Sequence, residues 1–370
     1  DPRPRLRCGD GWPIVGASSR WRGMSDPSPA SAGWSQPGET MRFCEDFRVG
    51  EHQAYGSLTV SEAEILRFAR QYDAQPMHTD PDSDQARMTG GLIASGWHTA
   101  SLNMRLMADN FLLPAKQGLG SPGVSRLDWA APVRPGDTLG GSFEVLGRKA
   151  SASKPDRGFV NFRFTVKNQH GTPVLRQENL IMFARRDPRS PVPPPEGLEI
   201  PPPPRENLAF PDAPNPPMGR IGAMEAGHTL RFGTIEFTPE SIKSFARDFD
   251  PQDFHLSEEA GRATHFGGLS ASGWHIASNW MRAIVTFWAN EAKAGRFVPK
   301  LGPSPGFRDL LWLRPVLAGD RITYGSRFIE GRKSASKPGW GIAQHRNFGI
   351  NQRGELVFAF TGIVLWEAEA

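Results

Sequence analysis

The chain has 370 residues, with 43 Lys and Arg against 39 Asp and Glu, and only two cysteines. This length allows two domains of ordinary size, each able to bury a core without disulfides. The basic excess is spread along the chain, so no nucleic-acid partner is expected. Cys8 and Cys44 support neither a disulfide framework nor a cysteine-rich metal site. No apolar run approaches the roughly 18 residues of a membrane span. We therefore expect a cytoplasmic protein that binds no membrane.

The first forty residues differ in composition from the rest of the chain. Residues 1–40 mix Arg, Gly, Ser and Pro with isolated Trp and show neither helical nor strand periodicity. We interpret them as a disordered extension. Met41 opens the first regular segment and could be the biological start of the chain.

A carboxylate and an imidazole stand five positions apart, and the pair occurs twice. Asp73 and His78 form the first pair, and Asp250 and His255 repeat it 177 residues later. The same Phe-Ala-Arg sequence precedes both pairs. Repetition within a longer internal duplication favours a role in chemistry over local capping.

A short amphipathic helix is predicted just before each pair. Ser61 and Glu64 have the spacing of a capping box, and the apolar residues that follow recur with helical periodicity. In the second copy Thr238 is the predicted N-cap and Pro239 the first helical residue. Two different caps thus begin the same helix.

Each pair is followed by Gly-Gly and then by an apolar segment that begins with Ser-Gly-Trp-His. Segments 94–113 and 271–289 contain few charges, which predicts two buried central helices. The remainder of each copy has the alternation and turn residues of β-structure. The predicted strands are 126–133, 137–148, 158–168 and 173–183 in the first copy, and 310–316, 321–332, 341–351 and 355–366 in the second.

These patterns predict two α+β domains, each with one long helix lying against a strongly bent antiparallel sheet. The first domain would span residues 41–186 and the second residues 223–370. Residues 187–222 between them are rich in proline, which indicates a stiff, semi-extended linker.

The order of these motifs resembles the MaoC-like hydratase/dehydratase family, whose fold is the hot dog. The resemblance is carried by the Asp-x4-His element, Gly-Gly-Leu, Ser-Gly-Trp and the Pro-Val-Arg-Pro-Gly-Asp sequence at 132–137. It covers residues 41–186 and 224–367. Two copies in one chain imply a tandem (double) hot-dog, in which a curved antiparallel sheet wraps each central helix.

The resemblance implies (R)-specific hydration of a trans-2-enoyl-CoA thioester, or the reverse dehydration. Asp73 and His78 would be the acid–base pair, and the Gly96 amide would bind the thioester oxygen. Asp250, His255 and Gly273 would form an equivalent second site. No cofactor is implied apart from the CoA of the substrate, and the sequence contains no His or Cys grouping typical of a metal site.

Five positions near the pairs bear on this assignment. Gln75 and Gln252 stand where the family commonly has Asn, and Asp253 replaces a proline. The family's acidic residue two places after the histidine is present as Asp80, whereas Ser257 stands there in the second copy. The second site therefore departs further from the family pattern.

Other roles remain open from the sequence. A thioesterase on the same fold, or a catalytically silent acyl-thioester-binding protein, would also fit. His98 and His275 are predicted to be structural. The basic segments 147–155 and 331–338 could contact CoA phosphates or form solvated hairpins. A homodimer of the internal pseudo-dimer is a further expectation.

Overall fold

A computed structural model describes residues 41–191, 194–199 and 207–369. The predicted disordered extension, residues 1–40, lies outside the described residues. Among the described helices, none combines the length and the apolar character that a membrane span requires.

The first half carries five strands and five helices. It begins with a 3-10 turn at Cys44–Asp46, and a π-helical turn at Ala108–Leu112 follows its central helix. The elements are β1 (His52–Thr59), α1 (Glu62–Tyr72), α2 (Pro76–Thr79), α3 (Asp84–Met88), α4 (Gly96–Met107), α5 (Leu113–Ala115), β2 (Gly123–Trp129), β3 (Thr138–Ala150), β4 (Arg157–Lys167) and β5 (Pro173–Ala184).

The second half repeats this order with a longer central helix. Its elements are β6 (Thr229–Glu236), α6 (Pro239–Phe249), α7 (Asp253–Leu256), α8 (Glu258–Arg262), α9 (Gly273–Lys293), β7 (Gly306–Trp312), β8 (Arg321–Lys333), β9 (Trp340–Asn351) and β10 (Leu356–Glu367). The predicted caps are present, because Ser61 forms a capping box with Glu64 and Thr238 accepts a hydrogen bond from the Ser241 amide.

All ten strands form one antiparallel sheet in the order β1-β3-β4-β5-β2-β7-β10-β9-β8-β6. Each half supplies five neighbouring strands, and the halves join where β2 pairs with β7. Counted inward from the two edges of the sheet, each strand of the first half has its equivalent of the second half at the same place in the order. The described chain is therefore the predicted α+β tandem hot-dog.

The central helices α4 and α9 lie inside the curved sheet. Ten of the twelve residues of α4 are buried, because the sheet covers most of the helix circumference. Trp97 of the first half stacks on Phe307 of the second, with ring centroids 5.3 Å apart. Both halves thus contribute to one continuous apolar core.

Helices α1 and α6, which lead into the two Asp/His pairs, pack against each other. The rings of Phe68 and Phe249 are 5.6 Å apart, and those of Tyr72 and Phe245 are 5.8 Å apart. These contacts place the two pairs on either side of the pseudo-twofold axis.

Strands β2 and β7 begin and end earlier than predicted. Each ends at a tryptophan, Trp129 or Trp312, whose indole N–H donates to a carbonyl at the start of the central helix, at 2.9 and 3.1 Å. The chain then turns toward that helix, and the Val133 carbonyl accepts a hydrogen bond from the Ala94 amide. The indole bond thus lies at the last residue of each strand, and periodicity alone does not reveal it.

Residues 207–222 of the proline-rich segment pack against the second half, whereas Glu196, earlier in the segment, forms an isolated bridge with Arg148 of the first half. Leu208 contacts the sheet near Phe348, Met218 contacts Phe287, and Ile221 forms an isolated bridge with Ala368. Residues 207–222 are thus held by apolar contacts.

Candidate active site

Each aspartate of the repeated pair lies at the end of a helix. Asp73 caps α1 with φ −149° and ψ 66°, and its N–H still donates to the Ala69 carbonyl. Asp250 caps α6 with nearly the same angles, −151° and 66°. The departure from helical geometry turns both carboxylates into the protein interior, where each side chain is only 3% exposed.

The histidines are held by backbone carbonyls. His78 Nδ1 lies 2.9 Å from the Ile93 oxygen, and His255 Nδ1 lies 2.7 Å from the Ser270 oxygen. Since a carbonyl only accepts, each Nδ1 carries the proton. The Nε2 atoms face the aspartates, 3.5 Å from Asp73 Oδ2 and 3.3 Å from Asp250 Oδ2.

Two further side chains fix each carboxylate. The Ser95 hydroxyl donates to Asp73 Oδ2 at 2.6 Å, and the Gln75 amide donates to Oδ1 at 2.8 Å. Ser272 and Gln252 make the same bonds to the second carboxylate, at 2.7 and 2.8 Å. From the sequence, the glutamines were identified only as departures from the family pattern, and the serines were not predicted to bind the carboxylates. Their signal was the Ser-Gly-Trp-His sequence, which recurs unchanged in both copies.

The second carboxylate stays ionised despite its burial. Burial by itself raises the pKa of Asp250, but the charge of His255 and the hydrogen bonds from His255, Ser272 and Gln252 outweigh it. The net result is a pKa below the ordinary value for aspartate. A buried, ionised carboxylate is suited to accept a proton from water.

A free backbone donor lies next to each pair. Gly96 is the first residue of α4, where the N–H groups have no partner within the helix. Among the described residues, the Gly96 N–H has no hydrogen-bond acceptor, whereas the Trp97 N–H donates to Ser95 Oγ. Gly273 occupies the same position on α9. These two amides are placed to bind an oxyanion at a helix N-terminus.

Glycine is required at these positions for a packing reason that the sequence does not reveal. A Cβ on Gly96 would lie 2.4 Å from the indole of Trp129, and one on Gly273 would lie 2.2 Å from the indole of Trp312. The tryptophan rings therefore occupy the space that any side chain would need.

Gly96→Ala is expected to lower stability by about 1–3 kcal/mol, because the backbone and the Trp129 ring must move apart. The same shift misplaces the amide donor, so turnover at this site should fall by up to about 10²-fold. Urea unfolding and steady-state kinetics measure the two effects. Gly118→Ala is the matched control, since its Cβ would meet only Leu112 at an ordinary 3.8 Å. If Gly96→Ala and Gly118→Ala lost the same stability and the same turnover, the packing argument would be wrong.

His98 and His275 lie inside the core beside the pairs. His98 stacks on Phe68 with a centroid distance of 4.6 Å, and His275 stacks on Phe245 at 4.7 Å. Burial lowers the pKa of each imidazole to about 3, with smaller effects from nearby positive groups. Both rings are therefore neutral at physiological pH, which suits the predicted structural role.

The other charged residues singled out from the sequence lie outside the pairs. Asp80 and Asp253 are exposed, and Asp80 Oδ1 accepts a hydrogen bond from the Asp82 amide. In the first basic segment, Arg148 is bound to Glu196 at 2.6 Å. In the second, Lys337 lies over the Trp340 ring at 5.0 Å. A contact of either segment with CoA phosphates stays a prediction.

Two open clefts lie elsewhere on the described surface. One of about 670 Å³ is lined by residues that include Arg220, Lys300 and Trp340, and one of about 510 Å³ runs along α1. Neither cleft is lined by an Asp/His pair, so the candidate active site is identified from its hydrogen-bond geometry and not from a cleft. In the described part of the chain, no group of three or more His, Cys, Asp or Glu side chains is arranged to hold a metal ion.

The fold and the site together define a double hot-dog protein with two buried Asp/His pairs, each beside the N-terminus of a central helix. A family model for the MaoC-like domain matches residues 46–165. The MaoC-like dehydratase from Rhodospirillum rubrum is 37% identical over 40% of this chain and 99% of that one, with a TM-score of 0.37. Residues 46–165 therefore form a MaoC-like domain.

Two further comparisons concern the fold and the relatives. The Mycobacterium tuberculosis protein Rv0216, described as having a double hot-dog fold, matches 88% of this chain and 98% of its own at a TM-score of 0.65 and 16% identity. Mesaconyl-CoA hydratase of Cereibacter sphaeroides is 30% identical over 43% of this chain. The aligned part spans 46% of that hydratase, less than half its length.

Proposed function

We propose that this protein catalyses the reversible hydration of a trans-2-enoyl-CoA to an (R)-3-hydroxyacyl-CoA. The observation that carries the proposal is a buried carboxylate and an imidazole Nε2, 3.3–3.5 Å apart, beside a helix N-terminal amide that has no acceptor among the described residues. The family and its hydratase relative support hydro-lyase chemistry in general, and the hydrogen-bond geometry supports these residues as its agents.

The Asp/His pair can hold one water molecule through both of its O–H groups. In the tautomer of His78 that directs its Nδ1 proton at the Ile93 carbonyl, Nε2 is an acceptor, and its 3.5 Å separation from Asp73 Oδ2 allows one water oxygen to contact both atoms. The carboxylate takes one proton while the remaining hydroxide bonds to Cβ of the enoyl thioester. The electron pair of the C=C bond moves to the thioester oxygen as an enolate.

The Gly96 amide stabilises this enolate by donating to its oxygen. When the enolate collapses, Cα takes up the proton that the Asp/His pair removed from water, so one water is added and no proton is lost. Ser95 and Gln75 do not touch the substrate. They act as positioning residues that keep the carboxylate directed at the water.

Incubation of the full chain with crotonyl-CoA tests the proposal. Hydration removes the enoyl absorbance and releases no thiol, and we expect this result. Release of free thiol with the double bond intact would identify a thioesterase instead. Binding of the thioester without either change would identify a silent binding protein, and both of these outcomes would refute the proposed reaction.

A further inference from the structure

The two Asp/His pairs differ in the side chains that cover the imidazole. Phe254 directly precedes His255, with ring centroids 4.5 Å apart. Phe266 lies 5.1 Å from Phe254 and 6.5 Å from His255. The corresponding positions of the first half are Met77 and Thr89. Among the described residues, no aromatic ring contacts His78 in this way.

Phe266 also reaches across to the first half of the protein. Its Cζ lies 3.2 Å from the point where a Cβ on Gly120 would stand, so the ring touches the first-half backbone. Burial, and then the positive charges of Arg157 and Lys154 in the first half, lower the pKa of the neighbouring His265. The ring of Phe266 thus lies between Gly120 of the first half and His255.

The positions of the first half that are equivalent to the two phenylalanines carry a flexible side chain, Met77, and a small one, Thr89. The Thr89 hydroxyl donates to the Ala86 and Gly91 carbonyls, both at 2.9 Å, and so folds back onto its own loop. Arg134 ties this loop down by donating to the Thr89 and Gly90 carbonyls. Met88 points outward and is 74% exposed.

We propose that Phe254 and Phe266 make the second site selective for short acyl chains, whereas the first site accepts longer ones. The inference rests on the proposed hydratase function of both pairs. A linear chain lying alongside His255 would meet two rigid rings, but alongside His78 it would meet an unbranched methionine and a threonine. Loss of room for one or two methylenes changes discrimination by about tenfold or more.

Variants with one working pair test this inference against crotonyl-CoA and trans-2-octenoyl-CoA. In Asp73→Asn, only the second pair remains, and we expect the octenoyl/crotonyl ratio of kcat/KM to lie at least about tenfold below that of Asp250→Asn. Adding Phe254→Met and Phe266→Thr to Asp73→Asn should raise the ratio by a similar factor. Adding Met77→Phe and Thr89→Phe to Asp250→Asn should lower it.

Retained crotonyl-CoA turnover in each variant shows that the site is folded. Phe297→Thr, which replaces an exposed phenylalanine, is the control for the effect of replacing a phenylalanine by threonine. Equal ratios in the two single-pair variants, or phenylalanine exchanges that change kcat/KM equally for both substrates, would overturn the inference while leaving the hydratase function intact. Wild-type protein that hydrates neither substrate would instead refute the proposed function.

Discussion

Asp73→Asn/Asp250→Asn is expected to lower kcat/KM for crotonyl-CoA by about 10²–10⁴-fold while leaving the fold intact. Asparagine has the size of aspartate, and its amide nitrogen can donate to Ser95 Oγ or to His78 Nε2, so the local hydrogen bonds can be re-formed. What is lost is the negative oxygen that accepts the proton from water. Steady-state hydration kinetics and thermal unfolding of the same preparations measure the two expectations.

The matched control is Asp80→Asn/Asp253→Asn, which makes the same exchange at two exposed carboxylates close in sequence to the histidines. Its kcat/KM should stay within about twofold of the wild-type value, because neither side chain contacts the Asp/His pairs. If the two double variants lost activity to the same extent, the buried aspartates would not be the proton acceptors.

The free energy of unfolding is expected to fall steeply as the pH is lowered from about 6.5 to about 3. In the folded protein, burial lowers the pKa of His98 and His275 to about 3, whereas the unfolded chain has the ordinary histidine value of about 6.5. Above about pH 6.5 both states hold neutral imidazoles, so the full stability is present. Below it, the unfolded chain binds protons that the folded protein does not.

The loss should approach on the order of 4 kcal/mol for each of these two histidines at the acid end of the window. Burial also lowers the pKa of His345, to about 4, so this residue adds in the same direction. Urea unfolding at several pH values between 7.5 and 4 gives the slope. In His98→Gln/His275→Gln the free energy of unfolding should depend less steeply on pH, whatever its value at neutral pH. An unchanged slope would contradict the assignment of this pH dependence to the two histidines.

The local patterns of the sequence predicted most of the fold. The capping box at Ser61, the apolar stripes of α1 and α6, and the long apolar segments of the central helices all depend on residues within a few turns of one another. The internal duplication extended these local predictions to two equivalent α+β domains, and the resemblance to the MaoC-like family implied the tandem hot-dog. The duplication also identified both Asp/His pairs, since the spacing of the two side chains recurs.

Contacts between distant residues completed the site. The bond from Ser95 to Asp73 joins the start of α4 to the end of α1, and the indole of Trp129 reaches back to Gly96 from the sheet. Neither bond can be read from spacing, because each depends on how the central helix is seated within the sheet.

The sequence by itself thus determined the duplicated fold and the candidate acid–base residues, because helix caps and short spacings are set by neighbours along the chain. Only the tertiary structure decided how each carboxylate is held, why Gly96 and Gly273 must lack a side chain, and how Phe266 lies against Gly120. These features arise where the two halves of one ten-stranded sheet close around their helices, which brings together residues that no local pattern relates.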